Sequence, residues 1–334
     1  VATRQRQQPK TWSLLGDVRR RPSAYEAVTA KFHYHFRREP TPFEHPGMPL
    51  NDWYLRNREG SPFQVDDWED FRDPYKLTYK DYVALQHDRE TYVDKLIDRH
   101  EESASVEGLS DEWVSTLREL YIPLRFPLHI LQMVGLYVGQ MAPSAYITNC
   151  ANFQAADELR RIQRIAYSTK MLANAHGDEL AATATARSAW EKDPVWQPLR
   201  ETLENLLIAY DWGEAFVALN LVVKPSLDAV VNWRLSELAE RNGDHFLAAL
   251  LAEFQQDSNR SRKWSADLAQ YALGRQPDLR QVMEGWTAAW TPRIEAAVKA
   301  LAQPFDEAPV GLAATDVVSA TGTQARDHLQ ACGL

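Results

Sequence analysis

Two stretches of the sequence have the residue spacing of a metal site built inside a helical bundle. Glu158-Leu159-Arg160-Arg161 and Asp257-Ser258-Asn259-Arg260 each set a carboxylate three residues before a second polar side chain. That spacing puts both side chains on one helix face. A carboxylate-bridged di-iron site uses it, taking Glu-x-x-His from each of two helices and a single Glu from each of two others. Here both pairs carry arginine where histidine would stand, and a guanidinium cannot coordinate metal. None of the nine histidines has Glu three residues before it, and no Asp or Glu occurs between Leu120 and Ala156. The outline of a bundle site is present without its ligands.

Two further groups have chemical potential. Asp211-Trp212-Gly213-Glu214 places two carboxylates at i and i+3 beside apolar residues (Leu206, Leu207, Ile208, Phe216, Val217, Leu219), as an acid–base pair or a metal would use them. The alternative is structural, because buried carboxylates persist only when paired and hydrogen-bonded, and Arg160, Arg161 and Arg164 are the expected partners. With three arginines and no histidine, the structural reading is preferred. His33-Tyr34-His35 puts two imidazoles on one side of an extended segment, but without acidic or Cys neighbours it reads as packing rather than metal binding. The nucleophile elbow G-x-S-x-G, the phosphate loop G-x-x-x-x-G-K and the dinucleotide motif G-x-G-x-x-G are all absent.

The elements that must position these residues are helical. Apolar residues recur at helical spacing from Thr78 to Arg99, and Ser110-Asp111-Glu112 has the form of a helix start. Further helices are expected over 124–141, 144–175, 199–223, 226–241, 245–273 and 278–302. Pro123, Pro143, Pro198, Pro225, Pro277 and Pro304 are expected at their boundaries. No convincing strand alternation and no solenoid repeat appear. The stretch from Phe126 to Ile147 carries no formal charge and contains Gly135-x-x-x-Gly139. Pro127, His129, Gln132, Gln140 and Pro143 argue against a membrane span, so it is expected to be a central helix buried on all faces, its glycine pair marking close helix packing.

The 334 residues include 37 Lys and Arg against 46 Asp and Glu, a net charge of −9 that disfavours nucleic acid as the main partner. The charge is uneven. Residues 1–38 hold nine basic residues against Asp17 and Glu26, net +7, which leaves −16 for the rest. The first 92 residues contain 15 of 35 aromatics and 8 of 18 prolines, a composition that breaks helices yet calls for burial. Such a segment runs extended over its own body or a partner's, or forms an irregular lobe on its own core. Two cysteines cannot build a disulfide framework or a zinc site, and the N-terminal run is basic and polar without an apolar stretch behind it, so a cytoplasmic location is expected.

Several runs resemble the β subunit of the hydroxylase in bacterial multicomponent di-iron monooxygenases, the toluene, phenol, alkene and isoprene group. They begin with Lys10-Thr11-Trp12-Ser13, Arg20-Arg21-Pro22-Ser23-Ala24-Tyr25-Glu26, Ser61-Pro62 and Asp67-Trp68. They continue with Leu131-Gln132-Met133, Gln140-Met141-Ala142-Pro143-Ser144, Ile147-Thr148-Asn149-Cys150 and Ala155-Ala156-Asp157. The longest is Asp211-Trp212-Gly213-Glu214-Ala215-Phe216, followed by Leu219-Asn220-Leu221-Val222 and Lys224-Pro225. The resemblance runs from about Lys10 to Ala302.

It implies an all-α fold, a ferritin-like helical bundle with an extended N-terminal arm. The expected organisation is an arm over 1–76, a bundle without di-iron ligands over 77–303 and a loose tail over 304–334. It implies a non-catalytic subunit that binds no cofactor or metal itself and scaffolds a catalytic α subunit holding non-haem di-iron. The assembly would be an α2β2γ2 hydroxylase with a small γ subunit, an effector protein, an NADH-dependent FAD and iron–sulfur reductase, and in some systems a Rieske ferredoxin. Trp12, Arg20, Tyr25 and Trp53 are the expected partner-interface residues, by analogy with the arm that β subunits of the family extend over α. The rival readings are a helical adaptor unrelated to oxygenases and a stand-alone di-iron oxidase.

Overall fold

The computed structural model describes residues 21–29, 48–103 and 105–334. Trp12, Arg20, His33 and His35 lie outside the described residues. Two short helices, α1 (Ala24–Thr29) and α2 (Pro49–Tyr54), precede the bundle. Then follow α3 (Tyr79–Glu102), α4 (Asp111–Leu120), α5 (Arg125–Met141), α6 (Ala145–His176), α7 (Thr183–Lys192) and α8 (Gln197–Leu206). A continuous helical run over 212–241, α9, is succeeded by α10 (His245–Arg275), α11 (Leu279–Glu307) and α12 (Ala314–Cys332). Among the described residues there is no sheet. The fold is an all-α, ferritin-like bundle.

Local chemistry sets the helix starts. Thr78 and Asp81 close a reciprocal capping box on α3, and the Ser110 hydroxyl accepts the Trp113 N–H at the start of α4. Asp211 caps α9, accepting from the N–H groups of Gly213 (2.9 Å) and Glu214 (3.0 Å).

Helices α5 and α6 form an antiparallel pair through the Gly135–Gly139 face. A methyl at Gly139 would lie 2.8 Å from Asn152 Oδ1 and 3.3 Å from Ala151 Cβ, so the spacing does mark close packing. The expectation that α5 is buried on every face is wrong. His129, Met133, Leu136 and Gln140 form an uncharged stripe open to the surface. The deeply buried helix is α9, in which every residue from 215 to 232 is buried. No helix among the described residues is long and apolar enough to cross a membrane.

Pro225 and Pro304 sit inside helices rather than at their ends. Pro225 is accommodated because residues 217–223 adopt π-helical register, in which the Lys224 N–H reaches back five residues to the Leu219 carbonyl. Pro292 and Pro304 both lie within α11, which continues to Glu307. The tail expected to be loose is ordered. Residues 314–332 form α12, which packs on α9, α10 and α11 and buries Val317, Thr321, His328 and Cys332.

The described part of the N-terminal arm lies against its own body. Phe63, Trp68 and Phe71 are buried, with Phe63 5.2 Å from Trp212 and stacked on Phe216, and Trp68 edge-on to Trp212. Gly213 permits this approach, since a Cβ there would sit 2.4 Å from Phe63 Cβ.

Candidate functional site

Both carboxylate–arginine pairs picked out by spacing point into the bundle core, where they meet groups from two other helices. On α6, Arg161 Nη1 donates to Glu158 Oε2 (2.8 Å) and to Asp228 Oδ1 (2.9 Å), and Nη2 donates to Asn232 Oδ1 (2.9 Å). Lys224 on α9 donates to Glu158 Oε1 and to Asp228 Oδ2 (2.7 Å). Asn232 passes the chain on, donating to Ser258 Oγ of α10 at 2.9 Å. Glu158, Arg161, Lys224 and Asp228 are all buried. Two anions and two cations thus close a neutral ring at the α6–α9–α10 junction.

A second ring lies one layer toward α3. Asp257 accepts from Arg160 Nη1 (2.7 Å), Arg89 Nη1 (2.9 Å) and Gln86 Nε2 (3.1 Å), and Arg260 reaches it at 3.1 Å. Asp157 accepts from Tyr82 and Gln86, each at 2.8 Å, and from Arg260. At the margin, Arg160 and Arg164 clasp Glu90, and Arg164 also reaches Asp94 at 2.7 Å.

The charges on these groups follow from their neighbours. Burial alone works against ionised Asp228, but Lys224 and Arg161 outweigh it and hold its carboxyl below the ordinary range. Burial likewise opposes the charge on Lys224, and Asp228 with Glu158 more than offsets it, raising its pKa. Asp157 is pushed up, first by burial and then by the nearby Asp257. An unpaired charge in such a place would be strongly destabilising; the closed rings remove that penalty.

These residues do not fit a di-iron centre. A bridging carboxylate needs free lone pairs, while the carboxylates of Glu158, Asp228 and Asp257 are held by ammonium or guanidinium groups. The positions that would supply imidazole carry Arg161 and Arg260. Among the described residues, no group of three or more His, Cys, Asp or Glu side chains is placed to hold a metal ion.

The Asp211–Glu214 pair is structural, but its partners differ from those expected. Asp211 Oδ1 caps α9 and accepts from Ser61 Oγ (2.8 Å), while Glu214 Oε1 accepts from Trp290 Nε1 (3.0 Å). Arg160, Arg161 and Arg164 are engaged by the rings instead. Tyr25 is buried on its own chain, 5.4 Å from the Tyr146 ring, and its hydroxyl accepts the Asp73 N–H at 3.3 Å. Trp53 is half-buried; its Nε1 donates to the Tyr137 hydroxyl (3.1 Å) and its ring stands edge-on to Tyr210. Sequence reasoning missed Lys224 and Asp228, although a cation and an anion four residues apart in an otherwise apolar run were visible.

Comparison with known proteins bears directly on this arrangement. Residues 53–276 match the family model described as methane/phenol/alkene hydroxylase. The chain is 40% identical over 292 residues, 87% of its length and 89% of the relative's, to the hydroxylase component subunit beta of the toluene-4-monooxygenase system of Ectopseudomonas mendocina. It is 27% identical over 294 residues, 88% of its length and 83% of the relative's, to an oxygenase component of phenol 2-monooxygenase from Pseudomonas sp. strain CF600. Among solved structures, a chain of toluene 4-monooxygenase with toluene bound in its resting active site superposes with a TM-score of 0.83 at 39% identity. That match covers 89% of this chain and 98% of the other. A chain of xenon-pressurised phenol hydroxylase from Pseudomonas sp. OX1 shares the fold, with a TM-score of 0.81 at 20% identity, covering 100% of this chain and 98% of the other.

Proposed function

Because this chain belongs to the methane/phenol/alkene hydroxylase family, with strong homology to its β and small subunits, we propose that it is the non-catalytic β subunit of a multicomponent monooxygenase hydroxylase. The observation that carries this reading is the replacement of ligand chemistry by ion pairs. Arg161, Lys224 and Arg260 neutralise the carboxylates around which a bundle metal site would be built. In this reading the oxidised hydrocarbon, alkene or aromatic, meets non-haem iron in a partner α subunit. When bound there, that iron supplies O2 activation. This chain contributes a stiff, internally compensated body that holds α in register within an α2β2γ2 assembly in the cytoplasm. A small γ subunit, an effector protein and an NADH-dependent FAD and iron–sulfur reductase, with or without a Rieske ferredoxin, complete the system.

Surface features support a partner-facing side. Leu50 on α2 and Leu55 just after it flank Trp53, Met133 and Leu136 precede Tyr137 on α5, and Leu207 and Ile208 precede Tyr210; all six flanking residues are exposed. Hydrogen bonds from Trp53 to Tyr137 and from Tyr137 to the Tyr210 carbonyl tie the three elements into one patch. Burial of such a patch by a larger subunit would make the lone chain prone to aggregate. Trp12, Arg20, Tyr25 and Trp53 remain our proposed interface positions on the arm, Tyr25 acting by anchoring the arm to the body.

Native mass spectrometry of the complex from its own host tests the proposal. A mass of two copies each of three chains, with iron in the larger chain only, supports it. Iron bound by this chain, or a lone well-behaved monomer, overturns it.

A further inference from the structure

The hairpin of α11 and α12 encloses a cavity of about 370 Å³ against α9, away from the ion-pair rings. Its floor is mainly aliphatic, formed by Leu221, Ile294, Val298, Val318 and Leu329 with the buried hydroxyl of Thr321 among them, and no aromatic ring lines it. The hydroxyl of Ser226 is already engaged, donating to the Val222 carbonyl at 2.8 Å. Charge is confined to the exposed residues Glu295, Lys299 and Arg326.

Among the described residues, neither Lys299 nor Arg326 forms an ion pair. Arg326 folds back along α12, its Nη2 donating to Thr323 Oγ1 at 3.0 Å and its Nη1 lying 3.4 Å from where a Gly322 Cβ would be. The guanidinium thus lies along the helix beside Gly322 and the cavity. Glu295 stands one turn from Lys299 on α11 and leaves the three charged groups with a net charge of +1.

We infer that this cavity is a binding site for an aliphatic monocarboxylate of about eight to ten carbons. The volume corresponds to roughly a dozen heavy atoms, within the range of small-molecule sites. The mainly aliphatic, ring-free floor suits a flexible hydrocarbon chain. Two cations without carboxylate partners suit an anionic head, which accepts charge-assisted hydrogen bonds from them. Glu295 limits that head to a single negative charge, so carboxylate is favoured over phosphate. The inference does not depend on the scaffold reading, since it uses none of the bundle's ion-pair residues.

The test is calorimetric titration of sodium octanoate and of 1-octanol into the complex as purified, carrying the wild-type chain, Ala325→Phe or Lys299→Met/Arg326→Met. Octanoate should bind saturably and about tenfold more tightly than the alcohol. Ala325→Phe, which fills the cavity from α12, should abolish that site. The double variant changes only exposed side chains and so should fold even if Ala325→Phe does not; it should lose the preference for carboxylate while keeping alcohol binding. Absence of saturable octanoate binding, equal affinity for the two probes, or undiminished octanoate affinity in the double variant would overturn the inference. So would a crystal structure of the complex in which a side chain of another subunit fills the cavity.

Discussion

His328 of α12 donates its Nε2–H to the main-chain carbonyl of Asn220 in α9, at 3.1 Å. The carbonyl is available because of the π-helical register around it. In an α-helix the Lys224 N–H would bond to it, but that group goes to Leu219 instead, and the next residue, Pro225, has no N–H. A C-terminal helix thus satisfies a main-chain acceptor that the central helix leaves open. Since the acceptor is a carbonyl, the imidazole must carry its proton on Nε2. Burial, followed by the charge of Arg262, lowers the His328 pKa to about 4, so the ring is neutral in the fold.

This contact predicts an acid-sensitive dock. Between pH 6.5 and 4 the unfolded chain binds a proton at His328 that the folded chain does not, so stability falls as pH falls through that window. The loss approaches about 3 kcal/mol at the lower end. Asp157, whose pKa is raised, acts in the opposite sense, so the effect is read as a difference between proteins at each pH. His328→Gln should flatten the pH dependence of the melting temperature relative to wild type, and equal slopes would refute the assignment.

A second prediction concerns the neutral ring. Lys224→Met and Glu158→Leu each strand one buried charge and should each cost about 3–5 kcal/mol. The double variant restores neutrality around Arg161 and Asp228, so it should be less destabilised than the sum of the single changes by at least about 2 kcal/mol. Urea unfolding of the four proteins measures the coupling, and simple additivity would show that the ring is not a unit.

Gly213 should not tolerate a methyl group. Alanine there would place Cβ within 2.4 Å of Phe63 Cβ. The 61–63 segment would then lift from Trp212, at about 1–3 kcal/mol. A changed Trp212 environment in near-ultraviolet circular dichroism, with the helical far-ultraviolet signal retained, is the expected observation.

The surface stripe of α5 predicts an assembly defect without a folding defect. Met133→Asp/Leu136→Asp places charge on exposed positions, so the chain's own core is unaffected. In the proposed assembly, association with the α subunit should weaken by at least about 2 kcal/mol, or roughly thirtyfold. Pull-down of α by the variant, compared with wild type, measures this; full retention would move the interface elsewhere.

Much of this protein was legible one helix at a time. Periodicity and capping residues located α3, α4, α6 and α10 to within a few residues, because those signals act within one or two turns. The Glu158–Arg161 and Asp257–Arg260 pairs were legible for the same reason: a three-residue spacing fixes a shared face whatever surrounds it. What those arginines bind was not legible. Asp228 lies 67 residues from Arg161, and Arg160 lies 97 residues from Asp257, so only the packing of α6 on α9 and α10 decides the partners. The same limit explains where the structure departs from expectation. Pro225 alone suggests a helix boundary, but π register and a histidine from α12 supply what the ring removes. The Ala- and Gly-rich composition suggests a loose tail, but Val317, Thr321, His328 and Cys332 fall on one face of α12 and are buried against its neighbours. The charge-free stretch from Phe126 suggests a central helix, whereas the segment enclosed on every side is 215–232 of α9, which carries Lys224 and Asp228. Composition reports how much charge a segment carries, and only the tertiary arrangement decides whether each charge finds its opposite within hydrogen-bonding distance.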